Sequence, residues 1–138
     1  MSAMITVFER AIHVPRPLFD LVGSFPIGDP VTQMDNDIWI SDGPVEFHID
    51  PTEDDLLTYG VVLRNDIDYL FMFDSCGACD FPVGTLYRLD ARILHGTVKY
   101  RHEPPGRFGF LAWDMPPSYT MGEFEYEVGR ELHDRFRG

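Results

Sequence analysis

Only two cysteines, Cys76 and Cys79, occur in 138 residues, too few and too close for a disulfide framework. A chain of this length can bury a core without one. No apolar run approaches the roughly 20 residues needed to span a bilayer. The start, Met1-Ser2-Ala3-Met4-Ile5-Thr6-Val7, lacks the basic opening and apolar centre of a signal peptide. A cytoplasmic location with no membrane partner is the expectation. Basic residues are scarce, 11 against 23 acidic ones, for a formal net charge of −12. That balance disfavours direct nucleic-acid binding and an anionic membrane surface, both of which call for a positive face. There is no internal repeat, no low-complexity tract, no Gly-rich phosphate loop and no Gly-x-Ser-x-Gly elbow. Crossover helices between strands are also missing, which argues against a parallel α/β sheet.

The charge that is present is unevenly placed. Thirteen acidic residues and one basic residue, Arg64, lie between Asp29 and Asp80. The block has three readings: a solvated face, a mimic of nucleic-acid charge, or a carboxylate-bearing site. The solvated face is the simplest of these.

Eleven prolines and twelve glycines, spread through the chain, cut it into short pieces that suit strands better than long helices. Pro17 to Val22 reads as a short helix and Gly23 to Pro30 as a loop. Ile38-Trp39-Ile40 is a strand, ended by the turn signal Asp42-Gly43-Pro44. Val45 to Asp50 alternates, with Val45, Phe47 and Ile49 on one face and Glu46, His48 and Asp50 on the other. Leu56 to Leu63 is the next strand, with a turn at Arg64-Asn65-Asp66. Tyr69 to Phe73 is a nearly continuous apolar run, as for a strand covered on both sides. Asp74 to Pro82 reads as a loop. Strands follow at Gly84 to Leu89, Arg92 to Val98 and Arg107 to Trp113, the last reached through a hairpin-like turn from Arg101 to Gly106. Phe124, Val128, Leu132 and Phe136 are spaced by four in a helical tail. The expectation is a single all-β domain over 1–138, a sandwich or jelly roll with a short N-terminal and a C-terminal helix. N-terminal strands and helix occupy 1–44, the core 45–113 and the helical tail 114–138.

The strongest chemical feature is His48-Ile49-Asp50. Residues two apart on a strand share a face, and an imidazole with a carboxylate suits a divalent transition metal. His95 would complete a two-histidine, one-carboxylate facial triad, the arrangement of non-haem Fe(II) oxygenases. Arg107, twelve residues beyond His95, opens a strand that a hairpin would set beside it. Its guanidinium can grip a carboxylate through paired hydrogen bonds.

This order, His-x-Asp, then His, then Arg, resembles the 2-oxoglutarate- and Fe(II)-dependent dioxygenases from about Val45 to Trp113. Gly84-Thr85-Leu86-Tyr87 through Leu94-His95-Gly96 is similar to that family's approach to its second histidine, and Gly106-Arg107-Phe108-Gly109-Phe110 to its basic-residue strand. The resemblance implies a double-stranded β-helix, a cupin-like jelly-roll variant. It implies Fe(II) held by His48, Asp50 and His95, and 2-oxoglutarate held at its distal carboxylate by Arg107. The activity implied is hydroxylation or oxidative demethylation of a small molecule or protein side chain. Where many members carry a serine or threonine, two residues after the arginine, this chain has Gly109. Tyr59 is then the first candidate for a hydroxyl partner, with Thr97 and Tyr87 after it. A cationic substrate would be welcome near the acidic block, with Glu53, Asp54 and Asp55 at the mouth of the barrel.

Two other readings compete: a non-enzymatic acidic β-domain that binds a basic partner or mimics nucleic-acid charge, and a cupin-like metal protein without 2-oxoglutarate. In the second, Arg107 would point away from the metal. Cys76-Gly77-Ala78-Cys79 can serve half of a zinc site or a redox pair, but a plain loop is the simpler reading. His13, His102 and His133 have no ligand spacing. Trp39 and Trp113 read as core or pocket wall.

Overall fold

Alternating segments of this kind gain stability only when both their hydrogen-bonding edges and their apolar faces find partners, and the chain achieves this with antiparallel sheets. The computed structural model describes residues 5–28, 31–43, 45, 48–49, 55–73, 77–90, 92, 95–98 and 106–136. Their elements are β1 (Ile5–Ala11), α1 (Arg16–Ser24), β2 (Val31–Asp35), β3 (Ile38–Ser41), β4 (Leu57–Asn65), β5 (Leu70–Phe73), β6 (Gly77–Asp80), β7 (Thr85–Leu89), β8 (His95–Val98), β9 (Phe108–Met115) and α2 (Met121–Arg135). The chain is thus mostly β, with one helix near each end, as the sequence leads one to expect.

Six strands form a large sheet in the order β1-β7-β4-β9-β3-β2, and three form a smaller one in the order β6-β5-β8. Every strand pair is antiparallel. The free edge of β8 carries a further segment. His48 and His95 exchange both backbone hydrogen bonds, at 2.9 and 3.0 Å, and the Thr97 amide donates to the Val45 carbonyl at 3.0 Å. From β3 onward the chain alternates between sheets: β3 large, the Val45–His48 segment small, β4 large, β5 and β6 small, β7 large, β8 small, β9 large.

The large sheet is covered on both faces. On one, Ile38, Ile40, Tyr59, Val61, Leu63, Leu86 and Leu111 pack under the helices, meeting Leu18 and Val22 of α1 and Phe124, Val128 and Leu132 of α2. On the other, Val62, Tyr87, Leu89 and Phe108 meet Tyr69, Phe71 and Phe81 from the smaller sheet and its connections. Strand β4 lies inside the sheet, so Tyr59, Val61, Val62 and Leu63 are all fully buried. Each such aliphatic side chain contributes about 1.5–3 kcal/mol of burial.

Both helices begin where their sequences direct. Pro17 suits the first turn of α1, where its missing N–H leaves no helical bond unmade. Thr120 caps α2 through a reciprocal capping box with Glu123. Side chains four apart then face the sheet, Leu18 with Val22 and Phe124 with Val128 and Leu132. At the far end of α2, Arg135 pairs with Asp35 and lies beside Asp37, whose carboxylate also accepts the Trp113 indole N–H at 2.8 Å.

The structure departs from the sequence reading in several places, among them strands β1 and β2, which that reading did not delimit. Gly77–Asp80 is a strand, β6, where a loop is expected, because the edge of β5 recruits it. The strand ending near Leu63 runs on to Asn65, since Arg64 and Asn65 still pair with Gly109 and Phe108. The connection from β8 to β9 is not a hairpin: β8 pairs with β5, whereas β9 pairs with β3 and β4 in the other sheet. The expected turn residues 101–105 lie outside the described residues.

The Asp35–Arg135 contact generates a pH prediction. The Asn36 amide, donating at 2.7 Å, and the Arg135 guanidinium together hold the Asp35 carboxyl below its ordinary value, against the opposing effect of burial. A carboxyl lowered on folding adds stability that is complete above its ordinary value of 3.8 and fades as pH falls below it. Asp35→Asn is therefore expected to lower the urea midpoint at pH 7 and to lower it by less at pH 3. An equal deficit at both pH values would refute the assignment.

Candidate functional site

Two layers of β-structure meet in a small cleft of about 70 Å³. The large sheet supplies Thr58, Tyr87, Leu89, Phe108 and Phe110. The smaller sheet and its edge segment supply Phe71, His95, Gly96, Thr97, Val45 and His48, and Phe81 closes the set.

The two histidines are brought together by backbone register. His48 and His95 are directly opposed, with both amides bonded across the pair. Residues paired in this way place their side chains on the same face, a few ångström apart. Their ring centres are 4.5 Å apart at an interplanar angle of 52°. His95 is buried and His48 half-buried. From His95 an aromatic series continues through the cleft: Phe71 at 5.9 Å, then Phe81 at 4.8 Å, then Tyr87 at 4.8 Å.

Tyr87 occupies the space that a side chain at Gly60 would fill. Gly60 is its cross-strand partner, and a Cβ there would stand 2.2 Å from the Tyr87 ring. The glycine thus lets the phenol ring lie close over β4. Thr97 shares the His95 face, and its hydroxyl oxygen accepts the Val45 N–H at 2.7 Å.

The strand reading of Val45 to Asp50 put Val45 and Ile49 on the face opposite His48; Ile49 is 61% exposed, whereas Val45 and His48 both line the cleft. Asp50 lies outside the described residues, as do Glu53 and Asp54; Asp55 is exposed.

Arg107 is not beside His95. It precedes β9 in the other sheet and shares the face of Gly109 and Leu111, which packs on α1. Its Nε donates to Asp42 at 2.7 Å, and its Nη1 donates to the carbonyls of Val22 and Phe25 at 2.8 and 2.6 Å. The guanidinium therefore closes the C-terminal end of α1. Gly109 is the companion of that closure: a Cβ there would stand 2.5 Å from Val22 Cγ1, so the missing hydroxyl residue is a packing requirement of the helix.

Tyr59 also faces the helices. It is fully buried, and its hydroxyl donates to the carbonyls of Tyr119 and Pro116 at 2.5 and 3.2 Å. Of the residues singled out in the sequence, the cleft unites His48, His95, Thr97 and Tyr87; Arg107 and Tyr59 lie on the opposite face of the large sheet. The residues missed by sequence reasoning are the aromatic walls, Phe71, Phe81, Phe108 and Phe110. The signal for Phe108 and Phe110 was present in the face of β9 that alternates with Arg107, Gly109 and Leu111, and Phe71 lay in the apolar run read as a strand.

Two imidazoles from neighbouring strands fit a divalent transition metal as donors. A metal–nitrogen bond of about 2.0–2.1 Å puts each ring centre about 3 Å from the ion, so two rings at right angles on one ion stand about 4.5 Å apart. The observed separation is 4.5 Å. Among the described residues no group of three or more His, Cys, Asp or Glu side chains forms. Among the described residues no arginine or lysine lines the cleft. Cys79 is half-buried on β6, Cys76 lies outside the described residues, and His13 and His133 are exposed.

Removing the Arg107 side chain is expected to act on stability. Arg107→Ala should cost about 1.5–3 kcal/mol, the range for hydrogen bonds to a charged group, and Gly109→Thr about 1–3 kcal/mol through overpacking against Val22. Urea unfolding measures both. An Arg107→Ala protein of wild-type stability would contradict the helix-closing role. Comparison with protein-family models, with curated proteins and with solved structures returns no match.

Proposed function

We propose that the chain is a small double-stranded β-helix metal protein of the cupin-like kind, an oxidoreductase whose divalent transition metal is held by His48 and His95 at the cleft. The observation that carries this reading is the paired histidine register: two imidazoles, fixed opposite each other by backbone bonds, at a spacing suited to one ion. The alternation of strands between the two sheets supports the β-helix, since the order β7-β4-β9-β3 facing β6-β5-β8 and the Val45–His48 segment is that of two interlocked Greek keys. The His-x-Asp spacing in the sequence supplies Asp50 as the natural third ligand. Iron(II), when bound in such a triad, supplies activation of O₂ toward a nearby substrate. The chain's own residues would hold the ion beside β8, in a cleft walled by aromatic rings.

A 2-oxoglutarate-dependent oxygenase is the second reading. It is favoured by the order of His48, Asp50, His95 and Arg107 along the chain, and weakened by the Arg107 side chain, which is engaged by Asp42, Val22 and Phe25.

Titration of the full chain with Co(II), followed by its visible absorption, tests the proposal. Wild type should bind one ion. His48→Ala and His95→Ala should each weaken binding beyond the roughly 10–100-fold cost of losing a mere supporting partner. No binding by wild type, or binding as tight as wild type in either variant, would end the proposal. Under anaerobic Fe(II), addition of 2-oxoglutarate should produce no charge-transfer band; a band abolished by Arg107→Ala would instead establish the second reading.

A further inference from the structure

We infer that Thr97 is a positioning residue of the histidine pair: its hydroxyl oxygen fixes the irregular register that sets His48 opposite His95. The inference rests on the reading of these two histidines as metal donors, and deepens it.

The edge segment does not pair regularly with β8. His48 and His95 exchange both backbone bonds, whereas the Thr97 amide donates to the Val45 carbonyl. The segment therefore takes three steps, from residue 48 to 45, while β8 takes two, from 95 to 97. One extra residue of this kind is a β-bulge, which disrupts the ladder beside it. A second observation agrees. Residues three apart on a regular strand face opposite ways, yet Val45 and His48 both line the cleft.

Thr97 supplies what the irregular ladder lacks. In regular pairing the Val45 amide would bond the Thr97 carbonyl, because such opposed residues exchange both bonds. It donates instead to the Thr97 hydroxyl oxygen, at 2.7 Å. Thr97 is 4% exposed and lies two residues beyond His95, so this bond is made beside the histidine pair by a buried side chain. Were the ladder to continue regularly from Val45 and Thr97, position 47 would stand opposite His95 and His48 would turn away. The hydroxyl is an acceptor that only the irregular register needs, and so it favours the register in which the two imidazoles meet.

Amide hydrogen exchange on the metal-free full chain, followed by Co(II) titration, tests this. In wild type the Val45, His48 and His95 amides should be protected. Thr97→Val removes the acceptor and keeps the branched shape. The His48 and His95 amides should then lose protection, while those of Gly96 and Val98, which by alternation face β5, keep it. Co(II) binding should weaken by about 10–100-fold, the cost of losing a partner that orients a ligand. Thr97→Ser keeps the oxygen and should restore both properties. Full protection or wild-type Co(II) affinity in Thr97→Val, or a Thr97→Ser protein that behaves like Thr97→Val, would overturn the inference. If Thr97→Val does not fold, the Val45 amide decides: protection in both wild type and Thr97→Ser supports the bond, and rapid exchange in wild type overturns it. Lost protection in Thr97→Val, with no Co(II) binding by wild type, sustains the register role and ends the metal reading. Co(II) binding by wild type, with protection unchanged in Thr97→Val, does the reverse.

Discussion

Everything in this chain depends on the large sheet being buried on both faces. A sheet with one wet face tolerates alternating polar residues, but one covered on both sides demands near-continuous apolar side chains along its inner strands. Strand β4 meets that demand with Tyr59 to Leu63, whose side chains alternate between the helices and the smaller sheet. The two coverings are chemically different. The helices bury Leu18 and Val22 of α1 and Phe124, Val128 and Leu132 of α2 against the sheet. The smaller sheet spans less of the surface and leaves a cleft lined by rings.

That division explains the arginines. A helix packed on a sheet must still satisfy the carbonyls of its last turn. For α1 this falls to two guanidiniums rising from the sheet: Arg107 to Val22 and Phe25, and Arg64 to Phe19, whose ring its guanidinium also covers at 4.2 Å. Asp42 and Asp66 balance the two charges. Part of the acidic block is thereby accounted for by arginines within the fold: Asp42, Asp66 and Asp35 each pair with one. The concentration of negative charge noted in the sequence is not one surface; it is partly a set of counter-charges for the helical layer.

How much was legible beforehand varies by element. Both helices could be read, because spacing by four in Phe124, Val128 and Leu132 has only one structural meaning. The last strand and its two faces could also be read: Arg107, Gly109, Leu111 and Trp113 do share a side. Which layer covers that side could not be. Alternation distinguishes two faces of a strand but carries no label saying which meets a helix and which meets a cleft. Strict alternation also separated Val45 from His48, which both line the cleft. Strand β6 escaped detection because four residues at a sheet edge owe their conformation to the partner that recruits them.

The sequence by itself determined the strand-rich character, the two helices, the location of the charge and the placing of the two histidines on separate segments. Those are matters of local period and punctuation, set by neighbours a few residues apart. Only the tertiary structure decided that β8 and β9 belong to different sheets, that His48 and His95 are paired while Arg107 and Tyr59 face away, and that Tyr87 lies in the space left by Gly60. Strand pairing joins residues distant in the chain, and its register is selected by which faces can be buried together. That selection depends on all the layers at once, and no single segment contains it.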